Sequence, residues 1–158
     1  MSSPLVSLHI VLADPRPISV NHMYGVDHHG KMRLTAAGQE YEDALKVAVV
    51  AQTHKHDWKK VTEEIYARGG YVSLHIALYL EKVQNKAWKK GTTSRTEGGR
   101  LRSPYQRVDG SNYIKAIEDG VVKGTGIDDS CHLGVSLEKM EDPSRPRVEI
   151  TYVVFCGN

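Results

Sequence analysis

Gly110-Ser-Asn-Tyr-Ile-Lys-Ala-Ile-Glu-Asp-Gly-Val-Val122 sets Ile114, Ile117 and Val121 on one stripe, three and four residues apart. That is the spacing of the buried face of an α-helix. Asn112, Lys115 and Asp119 repeat the same spacing on another face, and Gly124-Thr-Gly126 marks the end. Runs of alternating apolar residues flank this helix. Upstream, Tyr71 to Leu80 alternates through Val72, Leu74, Ile76, Leu78 and Leu80. Downstream lie His132 to Met140 and Arg147 to Phe155, the latter with Val148, Ile150, Tyr152 and Val154. A period of two is the signature of a strand with one buried face.

The N-terminal half follows the same logic. Leu5 to Leu12 alternates through Val6, Leu8, Ile10 and Leu12 and reads as a strand. Asp14-Pro-Arg-Pro-Ile-Ser-Val-Asn21 is turn-rich, and its prolines exclude helix. Thr35 is a suitable N-cap for a helix over about Ala36–Thr53, with Ala44, Leu45, Val47, Ala48 and Ala51 as its apolar face. A second helical stretch spans Trp58 to Ala67 and stops at Gly69-Gly70. The order βα(α)βαββ predicts an α+β fold with one mixed β-sheet packed with helices. The last two strands, joined through Asp142-Pro-Ser-Arg-Pro146, are expected to form an antiparallel C-terminal hairpin. With 158 residues, the expectation is a single domain over 1–158.

Composition narrows the function classes. Hydrophobic residues are 40% and charged residues 25%, as in an ordinary globular protein. No run approaches the roughly 18 apolar residues that a membrane-spanning helix needs. The start of the chain has neither a basic segment nor a long apolar run, so no signal peptide is expected. Cys131 and Cys156 form no CxxC pair. They suit a reduced, cytoplasmic protein better than a disulfide scaffold or zinc site. Net charge is only +2, but Lys82 to Arg107 holds eight Lys or Arg against one acid, Glu97. No P-loop, GxGxxG or Ser-His-Asp order stands out.

The strongest chemical signal is Arg107-Val-Asp109-Gly-Ser-Asn112-Tyr-Ile-Lys115-Ala-Ile-Glu-Asp119, followed by Asp128-Asp129. Mg²⁺ takes oxygen ligands, usually one or two carboxylates with water and substrate phosphate. Asp109 precedes the helix, and Asp128 and Asp129 follow a glycine-containing loop that can fold back beside it. A cation held there would polarise a phosphodiester and activate water for attack on phosphorus. Lys115, one turn into the helix, would neutralise charge in the transition state. A bland reading stands beside this one. Asp before a helix is a common N-cap, Asp-Asp after Gly is common in turns, and Lys115 with Asp119 can be a surface i, i+4 pair.

The same residues resemble a known family. Asp109-Gly-Ser-Asn112-Tyr-Ile-Lys115-Ala-Ile-Glu-Asp119-Gly, then Gly126-Ile-Asp128-Asp129-Ser, is similar to the core motif of RusA-type Holliday junction resolvases, D-x-D-N-x-x-K-A-x-x-D followed by a hydrophobic-D-D turn. Pro17-Ile-Ser-Val-Asn21-His-Met-Tyr24 and Arg33-Leu-Thr-Ala-Ala-Gly38-Gln-Glu-Tyr41 resemble two earlier blocks of that family, so the likeness covers most of the chain. It implies a homodimeric, Mg²⁺-dependent bacterial or phage nuclease, with Mn²⁺ as the alternative ion, that resolves four-way junctions by paired incisions in recombination and repair. Asp109, Asp128 and Asp129 match the metal positions, Lys115 the essential lysine and Asn112 its neighbouring asparagine. By the resemblance, Asp109, Asn112 and Lys115 are the catalytic set; Asp119 matches a further motif acid, read as structural. One position departs: the family's second aspartate is Ser111 here, a neutral and weaker Mg²⁺ ligand.

The segment at about 82–107 reads as a long basic loop leading into Asp109. Lys86, Lys89, Lys90, Arg95, Arg100, Arg102 and Arg107 are candidates for phosphate contacts, and Trp88 or Tyr105 for stacking on bases. The plain reading is a solvated loop. His9 and His75 fall opposite the apolar residues of their strands, and His28-His29 and His54-Lys-His56 read as loop or helix-end residues. Two alternatives to the nuclease remain: a junction- or single-strand-binding module without catalysis, which Ser111 favours, and an enzyme acting on another phosphate ester.

Overall fold

The computed structural model describes residues 4–14, 17, 24–54, 56–83, 88–91, 93, 95–101, 104 and 110–157, with the side chains of 53 and 110–112 outside that set. Strand β1 spans Pro4–Leu12, and a small hairpin follows from β2 (Tyr24–Val26) and β3 (Met32–Leu34). Helices α1 (Ala36–Thr53) and α2 (Trp58–Arg68) lead to β4 (Tyr71–Leu80). Helix α3 (Gly110–Thr125), a short 3-10 turn (Asp129–Cys131), β5 (His132–Glu141) and β6 (Arg147–Phe155) complete the fold.

The main sheet is mixed, in the order β1-β6-β4-β5. β6 pairs antiparallel with both β1 and β4, while β4 and β5 are parallel. A parallel pair needs a long crossover, and α3 lies within it. This corrects one expectation. β5 and β6 run in opposite directions and are joined by a short loop, yet they do not pair, because β4 lies between them. The exposure of the strands explains the choice. β6 buries every second residue, from Val148 to Val154, whereas β5 has no buried residue and suits the sheet edge.

The alternation predicted for β1, β4 and β6 builds one face of the core. Ile10, Leu74, Ile76, Leu78, Ile150 and Tyr152 lie there, essentially without exposure. Helix residues Tyr41, Leu45, Val49, Ile65, Ile117 and Val121 belong to the same core. The opposite sheet face carries His9, which is exposed, and His75, half-buried with Nδ1 2.8 Å from Ser136 Oγ.

Local signals act as expected at several points. Thr35 caps α1, its Oγ1 accepting from the Gly38 N–H at 3.0 Å. Gly69 takes a left-handed conformation (φ 64°) to end α2. The apolar face of α1 is rotated from the predicted one: Tyr41, Leu45 and Val49 are buried, while Val47 is 69% exposed. α3 runs three residues past Val122 and ends at Gly126 (φ 76°), within the expected Gly124-Thr-Gly126 stop.

The β5–β6 loop is tied by Asp142. Its carboxylate accepts from Ser144 Oγ and from Arg147 Nη1, both at 2.6 Å. The Ser144 hydroxyl first, then the Arg147 guanidinium, hold the Asp142 carboxyl down to about 2 from an ordinary 3.8. A carboxyl depressed on folding stabilises above its unfolded pKa, and that gain disappears as pH falls through the folded value. Asp142→Asn is therefore expected to be less stable than wild type at about pH 6, with the gap closing towards about pH 2. Urea unfolding at both pH values checks this, and a pH-independent gap would contradict it.

Candidate active site

The N-terminal part of α3 and the turn after it form an exposed corner. Ile117 and Val121 are buried and hold α3 in the core, so Lys115, Glu118 and Asp119 project beside the turn at 128–132. Lys115 Nζ lies 3.0 Å from Asp119 Oδ1 and 4.0 Å from Asp129 Oδ2. The predicted i, i+4 pair is real, and the same ammonium also faces a carboxylate fourteen residues along the chain (115 to 129). Asp119, through its hydrogen bond first, and Asp129 hold the Lys115 ammonium above its ordinary pKa, so it stays charged. Lys115 is 61% exposed, which leaves its ion pairs screened and of small value to stability.

Asp128 caps the 3-10 turn: its Oδ1 accepts from the Ser130 N–H at 2.9 Å. Hydrogen bonding from Ser130 keeps its carboxyl below the usual range, and the neighbouring His132 acts in the same direction. The bland turn reading and the site reading thus both describe Asp128. Asp129 is 51% exposed, within reach of solutes.

Residues missed by the sequence reading also belong to this corner. His132 Nδ1 lies 3.1 Å from Glu118 Oε1, and the His132 side chain is fully buried. Tyr66 of α2, 63% exposed, stands beside Cys131, whose thiol raises the phenol pKa. Neither had a sequence signal, because a Glu on a helix and a His at a strand start are ordinary surface features.

The other candidates divide. Asp109, Lys86, Arg102, Arg107 and Tyr105 lie outside the described residues, as do the side chains of Asn112 and Ser111. Lys89, Lys90, Arg95 and Arg100 are described and exposed. Part of the long loop is ordered into a tight turn. Arg95 and Leu101 form an isolated antiparallel bridge, the Thr96 N–H donates to Arg100 O, and Arg95 Nη1 donates to Gly99 O at 2.6 Å. Arg33 is engaged locally, paired with Asp27 on the β2–β3 hairpin.

The donor set suits a hard divalent cation in kind: accessible carboxylate oxygens around a point where a lysine cation already sits. Among the described residues, no group of three or more His, Cys, Asp or Glu side chains is disposed to hold a metal ion. Asp109, the third metal position that the resemblance implies, lies outside them. No helix among the described residues is long and apolar enough to cross a membrane.

Fold and corner together define an α+β protein with an exposed, acid-rich corner built around a lysine. The chain belongs to the family described as endodeoxyribonuclease RusA, which it matches over residues 14–152 of 158. The family is one of DNA endonucleases, and the match includes Lys115, Asp119, Asp128 and Asp129. No single curated protein matches the chain.

Proposed function

We propose that the chain is a Mg²⁺-dependent, structure-selective endonuclease that resolves four-way and other branched DNA by hydrolysing phosphodiesters. The observation that carries this reading is the meeting of Lys115 with Asp119 and Asp129 beside Asp128, in a chain of the RusA family. Asp109, Asp128 and Asp129 would hold the ion, with Ser111 supplying a neutral oxygen where the family has a carboxylate. Mg²⁺, when bound, supplies Lewis-acid chemistry to the phosphodiester. The chain's own residues do the rest. Asp128 and Asp129 stand exposed to solvent, within reach of a bound ion. Lys115 keeps its proton on Nζ and offers that charge to a scissile phosphate, where it neutralises what develops on the phosphoryl oxygens. Asn112, which matches the family's asparagine, would contribute an amide to the same chemistry. Lys89, Lys90, Arg95 and Arg100, with Lys86, Arg102 and Arg107, neutralise backbone phosphates. Paired incisions across a junction call for two such sites related by a two-fold axis, hence a homodimer.

A substrate panel tests this. Purified protein is offered a labelled four-way junction, a linear duplex of matching sequence and mononucleotides, with Mg²⁺, Mn²⁺ or EDTA. Nicks on the junction that need the divalent ion are expected. Salt-sensitive junction binding without nicks under either ion would establish the non-catalytic module. Activity confined to mononucleotides would establish an enzyme for another phosphate ester.

A further inference from the structure

The corner contains a second contact that phosphate chemistry does not use. His132 closes the 3-10 turn that carries Asp129, its backbone N–H donating to the Asp129 carbonyl. The Cys131 N–H closes on the Asp128 carbonyl at 3.0 Å. The His132 side chain has no solvent exposure, and its Nδ1 meets Glu118 Oε1 at 3.1 Å. A carboxylate can only accept, so Nδ1 carries the hydrogen. The imidazole also meets the Tyr152 ring, at 5.8 Å between centroids and 82°. Tyr152 is itself fully buried on β6. The turn is thereby seated on the buried face of the sheet.

Glu118 follows Lys115 by three residues on α3, so both project to the same side of the helix. Helix and turn are joined twice, through Lys115 and Asp129 in solvent and through Glu118 and His132 in the interior. A largely buried carboxylate–imidazole contact, with Glu118 17% exposed, is a poor choice for stability alone, since apolar side chains of like volume hold a core as well or better. It supplies a fixed distance and direction, which a turn presenting two carboxylates to a cation requires.

We infer that Glu118 and His132 are positioning residues that lock the Asp128–Asp129 turn against α3, so that its carboxylates stand ready for a divalent cation near Lys115. The inference rests on the metal reading proposed above, and its test separates the two. Mn²⁺ binding to the full chain without DNA is measured by calorimetry, beside thermal unfolding. The variants are Glu118→Ala, Glu118→Gln, the apolar pair Glu118→Leu/His132→Leu, and Asp129→Asn as control.

Glu118→Ala is expected to weaken Mn²⁺ binding by about tenfold, the lower end of losses from outer-shell substitutions. Glu118→Gln keeps an acceptor oxygen and should stay within about threefold of wild type. The leucine pair, which keeps the interior filled should the alanine variant not fold, is expected to retain its melting temperature and still bind about tenfold more weakly. Wild-type Mn²⁺ affinity in every folded Glu118 and His132 variant, with loss in Asp129→Asn, would overturn the positioning role alone. Undiminished Mn²⁺ binding by Asp129→Asn would remove the metal reading, and this inference with it.

Discussion

Lys115→Met is expected to slow single-turnover incision of a four-way junction by about 100- to 1,000-fold, the cost of removing one preorganised group that stabilises transition-state charge. Methionine keeps much of the length and loses the charge. Junction affinity should fall by less than about tenfold, because one phosphate contact among many is lost. Stability should change by no more than about 0.5 kcal/mol, since the side chain is 61% exposed and its ion pairs are screened. Lys115→Arg should recover part of the rate, limited by the broader guanidinium. Incision at the wild-type rate by Lys115→Met would detach the lysine from the chemistry and leave it a surface partner of Asp119.

Gly124→Ala is expected to destabilise the fold although alanine is the better helix former. The added methyl would meet Val49 Cγ1 at 2.4 Å and Val49 Cβ at 2.8 Å. Val49 is fully buried on α1, and a β-branched side chain cannot swing its Cβ away. Helix propensity favours alanine by about 1 kcal/mol, while overpacking costs about 1–3 kcal/mol or more. The clash should win, for a net loss of up to about 2 kcal/mol. Gly120→Ala should cost less: its nearest contact, at 2.4 Å, is Leu45 Cδ2, the far end of a flexible side chain. Urea unfolding decides between these. A Gly124→Ala variant more stable than wild type would contradict the close approach of α1 and α3. A Val49→Ala/Gly124→Ala double variant should lose less than the two single losses added together, because each relieves the other.

Much of this was legible before the structure. Alternation located β1, β4, β5 and β6, and the apolar stripe through Ile117 and Val121 located α3. Strand neighbours were not legible: alternation says which face is buried and nothing about which strand lies alongside. β5 and β6 therefore read as a hairpin, although β4 separates them. The β2–β3 hairpin was missed because its three-residue strands are too short for a period. Asp27 organises its turn by accepting from the N–H groups of His29 and Lys31. The face of α1 was read correctly at Ala44, Leu45 and Ala48 but not at Val47, and it also takes in Tyr41, Glu42 and Val49. Glu42 is only 1% exposed and pairs with Lys123 of α3, a partner 81 residues away that no local spacing reveals.

The candidate site divides in the same way. Lys115, Asp128 and Asp129 were legible because helix period and turn chemistry bring them to one corner. Glu118 and His132 were not, because they meet only once β5 is seated beside α3.

In the proposed function this corner cuts DNA with a divalent cation held partly by Asp129. The most direct measurement is the initial rate of incision of a labelled four-way junction as Mg²⁺ is titrated, for wild type and Asp129→Asn side by side. Wild type should show saturable Mg²⁺ dependence and silence in EDTA, and Asp129→Asn a loss of at least about 100-fold with junction binding retained. Wild-type incision by Asp129→Asn with an unchanged Mg²⁺ dependence, or incision by wild type in EDTA, would contradict the proposed function.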